Sequence, residues 1–395
     1  MNFKELAEQN EQWVIDQRRF FHQYPELSFE EKNTTREIGK RLEEMGVEPH
    51  YYDDYTGLWA MIEGGKAGPG TKTVALRADI DALPVDEHTG LEFCSKNPGV
   101  MHACGHDCHI AMLLGGIKML MEKKDELKGN VKIIFQAAEE SCYGARYYVE
   151  HGFLDGVDAI YGAHIWGDFD APYMSFESGP RMASCDNFTI EVEGVSAHGS
   201  APHQGTDAIL AAAHMITEIQ AIVSRMNDPL NPLVVTIGEI HGGQRFNIIA
   251  NKVVMEGTTR THSAEMRGKT EGLLRNIVEH VAASFGAKAT LKFDYFPGPV
   301  VNDHEDLNRI ANAAAVKMYG EGCLKSLPKM MGSEDFAMFM EKVPGVFGFI
   351  GSRNEALGYT AKNHNDHYTV DESVLKQGAA MYAQFAWDYL EEKAE

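Results

Sequence analysis

The sequence predicts an α/β protein of two domains, in which a sandwich domain is interrupted by a smaller inserted domain. Strand patterns alternate with helical patterns along the first 182 residues, which is typical of an α/β/α sandwich with a largely parallel sheet. Between residues 183 and 296 the order becomes β-α-β-β-α-β, the ferredoxin-like unit. The length of 395 residues also exceeds that of one ordinary domain.

The elements of the sandwich follow from hydrophobic periodicity. In its first part we predict helices Phe3–Gln23, Phe29–Met45, Asp107–Met121 and Tyr143–His151 and strands Thr73–Ile80, Val131–Gln136 and Ala159–His164. The alternation resumes later with helices Glu305–Met318, Glu334–Glu341 and Glu372–Glu391 and strand Val346–Ile350. Residues 1–182 and 297–395 are therefore predicted to form one domain.

The inserted domain, residues 183–296, contains two helical and four strand patterns. They are strands Phe188–Val195, Leu233–Ile240, Val253–Arg260 and Ala289–Phe296 and helices Asp207–Met226 and Met266–Phe285. A complete small domain of this kind can be inserted between two parts of a larger one, because each has its own core.

Composition and charge exclude several classes of partner. The chain has 58 acidic and 36 basic residues and a formal net charge of -22, a field that repels nucleic acid. The longest apolar stretch, Ile110–Met121, contains a lysine and is too short to span a membrane. The N-terminus is charged and amphipathic, without a signal peptide, and the six cysteines are scattered. These features predict a cytoplasmic protein with reduced thiols.

The strongest chemical signal is HACGHDCH, residues 102–109, in which five of eight side chains are thiols or imidazoles. Zinc and similar metals prefer these ligands. Cys104 and His106 flank a glycine in a loop before a helix, so that both can point at one site. The paired spacing of a closed structural zinc site is absent, which favours an open, catalytic site. We expect Cys108 and His109 to enter the helix and to pack or orient ligands.

Three further segments place donors at the ends of strands. An apolar strand ends in Glu139 and Glu140, and such adjacent carboxylates repel each other unless a cation lies nearby. Another strand ends in His164, and His364 lies near the C-terminus. The carboxyl ends of strands are where α/β sheets place their sites. Cys104, His106, one of the two glutamates, His164 and His364 would together supply ligands for two metals.

Seven motifs carry a resemblance to a known family. They are YPELSFEE (24–31), LRADIDALP (76–84), MHACGHDCH (101–109), FQAAEE (135–140), SAHGSAPH (196–203), EGTTR (256–260) and MGSEDF (331–336). In this order they resemble the metal-dependent amidohydrolases, which include aminoacylases, hippurate hydrolase and plant auxin-conjugate hydrolases. The match is to the branch with a cysteine metal ligand, and it implies a phosphorylase/hydrolase-like metallopeptidase core.

The resemblance implies a role for each candidate residue. Cys104 would be a thiolate that bridges two divalent ions. The further metal ligands would be His106, Glu140, His164 and His364, and Glu139 would be the general base. The inserted domain would serve as a lid and as the interface of a homodimer or higher homo-oligomer. Its candidate residues are His198, which would stabilise the oxyanion from the same or the partner subunit, and Asn247 and Arg260, which would grip a substrate carboxylate. We expect Asp79 to orient a ligand without binding metal.

The sequence departs from the family pattern in three places. Ala137 stands where the family has proline, and Ser141–Gly144 replaces the usual glycine pair, which would reshape the pocket wall. The C-terminal motif reads NHNDH at residues 363–367. We align His364 with the family's ligand, since Tyr368 and the acids that follow then fall in place, and His367 is the alternative.

These observations predict a binuclear-metal hydrolase that cleaves the amide bond of N-acyl amino acids. Zinc, manganese, cobalt and nickel all suit the ligand set. A deacetylase of an amino-acid biosynthetic intermediate and a dipeptidase or carboxypeptidase are the alternatives within hydrolases. A non-enzymatic metal-binding protein is disfavoured by the second glutamate, and a thiol redox protein by the lack of a C-x-x-C motif.

Overall fold

The structure is a computed structural model in which residues 2–394 are described, and the chain divides into two compact units. The first unit takes the chain up to Gly179, Val301–Pro328, and the chain from Asp335 onward. The second unit takes Pro180–Val300 and Lys329–Glu334. The α/β class with a two-domain architecture is confirmed, and each unit has its own apolar core.

The strands and helices are numbered here in chain order. The strands are β1 Pro49–Tyr51, β2 Leu58–Glu63, β3 Thr73–Asp79, β4 Asn130–Gln136, β5 Ala159–Asp170, β6 Met174–Ser175, β7 Gly179–Met182, β8 Asp186–Glu193, β9 Leu233–Gly242, β10 Lys252–Thr261, β11 Lys288–Asp294, β12 Val300–Asn302 and β13 Gly345–Arg353. The helices are α1 Phe3–Gln23, α2 Lys32–Glu44, α3 His106–Glu122, α4 Gly144–Glu150, α5 Ala208–Ala221, α6 Ala264–Ser284, α7 Glu305–Tyr319, α8 Ala337–Met340 and α9 Leu375–Lys393.

The first unit is built on a seven-stranded mixed sheet in the order β1-β2-β4-β3-β5-β13-β6. The four central strands, β4, β3, β5 and β13, run parallel, whereas β1, β2 and β6 add antiparallel edges. All seven residues of β3 are buried, as expected for a central strand covered on both faces. The carboxyl ends of the parallel strands therefore meet at one edge of the sheet.

Helices cover both faces of this sheet, as two neighbouring residues of β5 demonstrate. The ring of Tyr161 stacks on Phe385 of α9, with centroids 4.7 Å apart. A Cβ atom on Gly162 would lie 2.7 Å from Phe336, which immediately precedes α8. Because successive side chains of a strand point to opposite faces, α9 and α8 lie on opposite sides of the sheet. Helices α1, α3 and α9 pack against one another.

The second unit has the ferredoxin-like element order predicted from the sequence. Its four antiparallel strands are ordered β11-β8-β10-β9, so that β9 is an edge strand. Helices α5 and α6 pack on this sheet and on each other. Their first turns are capped by Asp207 and Ser263, whose side chains accept backbone N–H groups.

Some predicted boundaries differ from the observed ones for identifiable reasons. The helix expected at Glu334–Glu341 is only the short α8, because Asp335 turns its carboxylate into the core instead of entering a helix. The α5 pattern continues as a π-helix over Ile222–Met226. Strands β1 and β2, which extend one side of the sheet antiparallel to their neighbours, were not among the predicted elements. Among residues 2–394, no helix combines the length and the apolarity needed to cross a membrane.

Candidate metal centre

Cys104 and His106 lie on a tight loop at the start of α3. The residue between them, Gly105, has a φ of 93°, which only glycine adopts readily. A side chain there would also collide with Ile165 of β5, whose Cγ2 atom lies 2.5 Å from the ideal Cβ position. The glycine therefore lets the loop lie directly against β5 and brings the thiol and the imidazole to the end of that strand.

The hydrogen bonds of two buried histidines fix which ring nitrogen is available to a metal. His106 donates from Nδ1 to the Asp81 carboxylate at 3.2 Å, and His164 donates from Nδ1 to the Ile165 carbonyl oxygen at 2.6 Å. Each neutral ring therefore presents the lone pair of Nε2 to the site. This arrangement is typical of histidines that bind metals.

The five predicted ligands converge on the thiol of Cys104. Its Sγ atom lies 3.4 Å from His164 Nε2 and 3.3 Å from His364 Nε2. Glu140 Oε1 lies 3.5 Å from the same nitrogen of His364 and 3.9 Å from His106 Nε2. Two sets of donors, each with its atoms within 4.8 Å of one another, share the thiol: Cys104, His106 and His164, and Cys104, Glu140 and His364.

Glu139 lies beside these donors on a 3-10 turn, Glu139–Ser141. Its Oε2 atom is 4.0 Å from His106 Nε2, and its Oε1 atom accepts the backbone N–H of Asp335 at 3.4 Å. The turn is entered through Ala138 in a left-handed conformation, with φ of 59°. With this entry both adjacent carboxylates approach His106, and Glu140 also approaches His364.

The donor set fits divalent cations. His106 Nε2 and Glu140 Oε1 are buried without any hydrogen-bond partner among the described residues. Burial and the nearby Glu140 and Glu139 carboxylates raise the pKa of the Cys104 thiol well above its usual value. Burial would lower the pKa of His106, but Asp79 and Asp81 raise it to about 10. A cation reverses both preferences, because it stabilises a thiolate and a neutral imidazole.

The C-terminal loop distinguishes the two candidate histidines. His364 adopts a left-handed conformation, with φ of 69°, and its backbone N–H donates to Ala103 at 2.7 Å. The preceding Asn363 donates to the carbonyl oxygen of Cys104 at 2.9 Å, which holds the loop against the thiol. His367 instead contacts Asp366 at 2.8 Å. The imidazole that reaches the thiol is therefore that of His364.

The carboxylate of Asp79 is bonded to another histidine beside the centre. His109 Nε2 accepts the backbone N–H of Ile165 at 2.9 Å, so its Nδ1 donates to Asp79, 2.5 Å away. Asp79 Oδ2 is also 3.8 Å from His106 Nε2. The carboxylate that directly orients His106 is Asp81, which the sequence analysis did not single out. Its position two residues after Asp79, on the same side of the chain, was the available signal.

Arg77 links Asp79 to the segment that contacts Glu139. The guanidinium, 1% exposed, donates to Asp79 at 2.7 Å, to Gln136 at 2.7 Å and to Asp335 at 3.0 Å. Asp335 in turn accepts from Gln136 at 2.8 Å. The carboxylate of Asp335 therefore pairs with a cation in the core of the first unit.

The second unit brings two of its three candidate residues together. His198 and Asn247 lie on adjacent loops, joined by a hydrogen bond from the N–H of Gly199 to the carbonyl of Asn247 at 2.8 Å. His198 Nδ1 accepts the N–H of Ser200 at 3.1 Å, so its neutral ring carries the proton on Nε2. The ring is exposed, and it can donate a hydrogen bond outward.

Arg260 lies away from these loops, near the other end of β10. The Asn247 loop precedes Lys252 at the start of that strand, and eight residues of strand span about 26 Å. Arg260 donates to the carbonyl of Met331 at 3.3 Å. The expectation that Asn247 and Arg260 grip one carboxylate therefore does not hold within one copy of the second unit.

The fold and this site together define a metal-dependent hydrolase. A parallel sheet presents, at the carboxyl ends of its strands, two donor sets that share one thiol, with an additional carboxylate beside them. A purely structural site uses every donor as a ligand and needs no additional base.

Comparison with known proteins agrees with this class. The chain matches the model of peptidase family M20/M25/M40 over residues 75–388. It is 41% identical to the N-acetyl-L-cysteine deacetylase of Bacillus subtilis, covering 92% of this chain and 85% of that protein. It is 40% identical to thermostable carboxypeptidase 1 of Saccharolobus solfataricus, with 95% of each chain covered.

A solved structure is similar over almost the whole chain. The YXEP protein of Bacillus subtilis, described as a dinuclear metal binding peptidase from the M20 family, is 36% identical. The comparison covers 97% of this chain and 99% of that one, with a TM-score of 0.85. The chain belongs to peptidase family M20/M25/M40, and it is a hydrolase that acts on amide bonds.

We predict that Arg77→Met destabilises the first unit by about 3 kcal/mol, because it leaves Asp79 and Asp335 buried without their cation. Urea unfolding followed by tryptophan fluorescence measures the change in the free energy of unfolding. Arg353→Met is the control, since it removes a guanidinium from a more exposed pair with Asp170 and should destabilise the protein much less. Equal losses in the two variants would contradict the role assigned to Arg77.

Proposed function

We propose that the protein is an aminoacylase-type hydrolase that cleaves N-acyl amino acids with two divalent metal ions. The observation that carries this proposal is the pair of donor sets that share Cys104, with Glu139 beside them. The first unit would be the catalytic domain, and the second unit a lid or dimerisation domain.

The metal ligands in this proposal are Cys104, His106, Glu140, His164 and His364. Two divalent cations held by them would polarise the amide carbonyl and increase the acidity of the attacking water. The mixture of thiolate, imidazole and carboxylate suits zinc, manganese, cobalt or nickel. Asp81 and Asn363 support the ligands, since the first holds His106 and the second holds the loop of His364.

Glu139 is the proposed general base. Its carboxylate is buried and lies next to, but outside, the two donor sets that share Cys104. It would accept a proton from water at one oxygen and deliver that proton to the leaving amine. The N–H of Asp335 holds the other oxygen, so that the carboxylate keeps a constant orientation.

Residues of the second unit would bind the rest of the substrate. We propose that His198 donates from Nε2 to the oxyanion that forms on the carbonyl. Asn247 and Arg260 would contact polar groups of the substrate, the arginine as a partner of a carboxylate. This assignment is supported by the family resemblance of the motifs that contain His198 and Arg260 and by the tautomer of His198.

The substrate class is supported by the relatives. One is named for the deacetylation of N-acetyl-L-cysteine, which is an N-acyl amino acid. The relative named as a carboxypeptidase favours a second candidate, the removal of a C-terminal residue from a small peptide. Both reactions cleave an amide that joins an acyl group to an amino acid. The two candidate functions therefore differ in the size and polarity of the group on the acyl side of that amide. A cytoplasmic location accords with the reduced thiols that such a centre needs.

We further propose that the protein is a homodimer that pairs through β9. This edge strand offers unpaired backbone groups, and it carries Ile240, which is 50% exposed. Ile209 and Leu210 at the start of α5 are similarly exposed. A Cβ on Gly243 would lie 3.3 Å from Ile209, so these side chains adjoin the end of β9. Neighbouring exposed apolar residues of this kind mark protein interfaces.

Glu139→Gln tests the base. We expect it to keep its metal and to lose about 10³-fold in kcat for an N-acetyl amino acid, because the amide cannot accept a proton. Released amine and metal content are measured together. Glu150→Gln on the exposed side of α4 is the matched control. Turnover near the wild-type rate in Glu139→Gln would exclude Glu139 as the base.

Cys104→Ala tests the shared ligand. Because both donor sets contain this thiol, we expect the variant to bind fewer than two ions per chain and to lose activity. Metal content after dialysis, determined by atomic absorption, is the measurement. Cys323→Ala removes a buried thiol outside the site and should retain the wild-type content. Two ions in the Cys104 variant would contradict a bridging role.

Ile240→Lys tests the dimer. A charge on an edge strand opposes pairing with a second strand, so we expect the mass in solution to fall to that of one chain. Light scattering after gel filtration measures it. Leu357→Lys introduces the same charge at an exposed leucine of the first unit and should leave the mass unchanged. A monomeric wild-type protein would refute the interface.

A further inference from the structure

Trp166 lies beside the candidate metal centre on the same face of β5 as His164. Residues two apart on a strand point to the same side, and the two rings are 5.3 Å apart at an angle of 72°. The same face continues to Asp168 and Asp170, which are exposed, whereas His164 is buried. Trp166 therefore lies between the buried His164 and the exposed end of the strand.

The indole of Trp166 packs against the core on one side and is accessible to solvent on the other. Phe349 of β13 is fully buried and meets it edge to face, with centroids 5.7 Å apart. Trp166 is half-buried, and its ring N–H has no hydrogen-bond partner among the described residues. One side of a fixed aromatic ring is thus available to another molecule next to the thiol and imidazoles of the centre.

Trp166 differs in this respect from the other tryptophans. Each of those lies under a lysine ammonium at 5.2, 5.3 or 5.6 Å: Trp387 under Lys123, Trp59 under Lys132 and Trp13 under Lys118. Within residues 2–394, no lysine or arginine covers the ring of Trp166. The ring face of Trp166 is therefore free for a ligand, whereas the ring faces of the other three tryptophans contact lysines and stabilise the fold.

The charges around Trp166 indicate which part of a substrate can lie there. The cations at this end of β5 are already paired, Lys362 with Asp168 at 3.1 Å and Arg353 with Asp170 at 2.8 Å. The carboxylate of an amino acid would meet two aspartates and gain no unpaired cation. An uncharged, flat or apolar group would instead cover the indole and remove apolar surface from water.

We propose that Trp166 forms an apolar subsite for the acyl substituent of the substrate and favours aromatic acyl groups over acetyl. This inference rests on the proposed cleavage of N-acyl amino acids. It assigns the acyl side of the scissile amide to the carboxyl end of β5. Trp166 is thus a specificity-determining residue, which contacts the part of the substrate that does not react.

The test compares N-benzoyl and N-acetyl derivatives of one amino acid in the metal-loaded protein. We expect Trp166→Ala to lower the ratio of kcat/KM for benzoyl to that for acetyl by about tenfold, since the aromatic contact is lost only by the former. Trp166→Phe should restore most of the ratio. Trp59→Ala removes a half-exposed indole from β2 and should leave the ratio unchanged.

Several outcomes separate this inference from the proposed function. Equal losses for both substrates in Trp166→Ala, or an unchanged ratio, would overturn the subsite. Failure of the wild-type protein to hydrolyse either substrate would overturn the proposed function instead. In that event calorimetric binding of N-benzoylglycine and N-acetylglycine decides the subsite: a selective loss of the benzoyl ligand in Trp166→Ala supports it, and equal affinities in wild type and variant refute it.

Discussion

The structure depends on how buried negative charge is compensated in the first unit. Asp79, Asp81 and Asp335 are fully buried, and Glu139 and Glu140 lie close to them. Buried carboxylates are stable only when they are paired or bind cations. Arg77 neutralises the negative charge of Asp79 and Asp335. The imidazoles neutralise the charge of the other buried carboxylates only in part. The remaining donors, centred on the thiol, therefore need positive charge from outside the chain.

The same need explains why the backbone is strained around the site. Among residues 2–394, four non-glycine residues have positive φ, and three of them, Ala138, Cys142 and His364, lie within the turns that carry the glutamates and the last imidazole. Such conformations cost about 1–3 kcal/mol each and persist only where the surroundings impose them. Here the surroundings are the buried strands and the loop bonds of Asn363, which hold the donors in fixed positions.

Much of this arrangement could be predicted from the sequence, because local patterns encode it. Helix α1 begins and ends where its periodicity predicts, at Phe3 and Gln23. Its first turn has a capping box between Asn2 and Glu5, which stabilises that start. Cys104, His106, Glu140 and His164 were predicted because each follows an apolar strand or lies in a dense run of thiols and imidazoles. His364 was assigned by alignment with the family motif.

What the sequence did not reveal is the long-range pairing of polar side chains. Arg77 and Asp335 are 258 positions apart, and only the folded sheet brings them together. Asp81 and Asn363 were missed for the same reason, since each acts on a ligand that belongs to another segment. The register of β10 likewise separates Asn247 from Arg260, and a motif gives no information on such distances.

The proposed division of roles between the adjacent glutamates rests on these long-range contacts. The N–H of Glu140 donates to Asp81 at 3.0 Å, so the carboxylate that orients His106 also fixes the backbone of Glu140. Glu139 is fixed at its side chain instead, by the N–H of Asp335. Glu140 is thus positioned through its backbone, with its carboxylate close to His364. Glu139 is positioned through one carboxylate oxygen, which leaves the other oxygen available to accept a proton. Two chemically identical residues are thus held in different ways by different segments, which supports the proposal of one as ligand and the other as base.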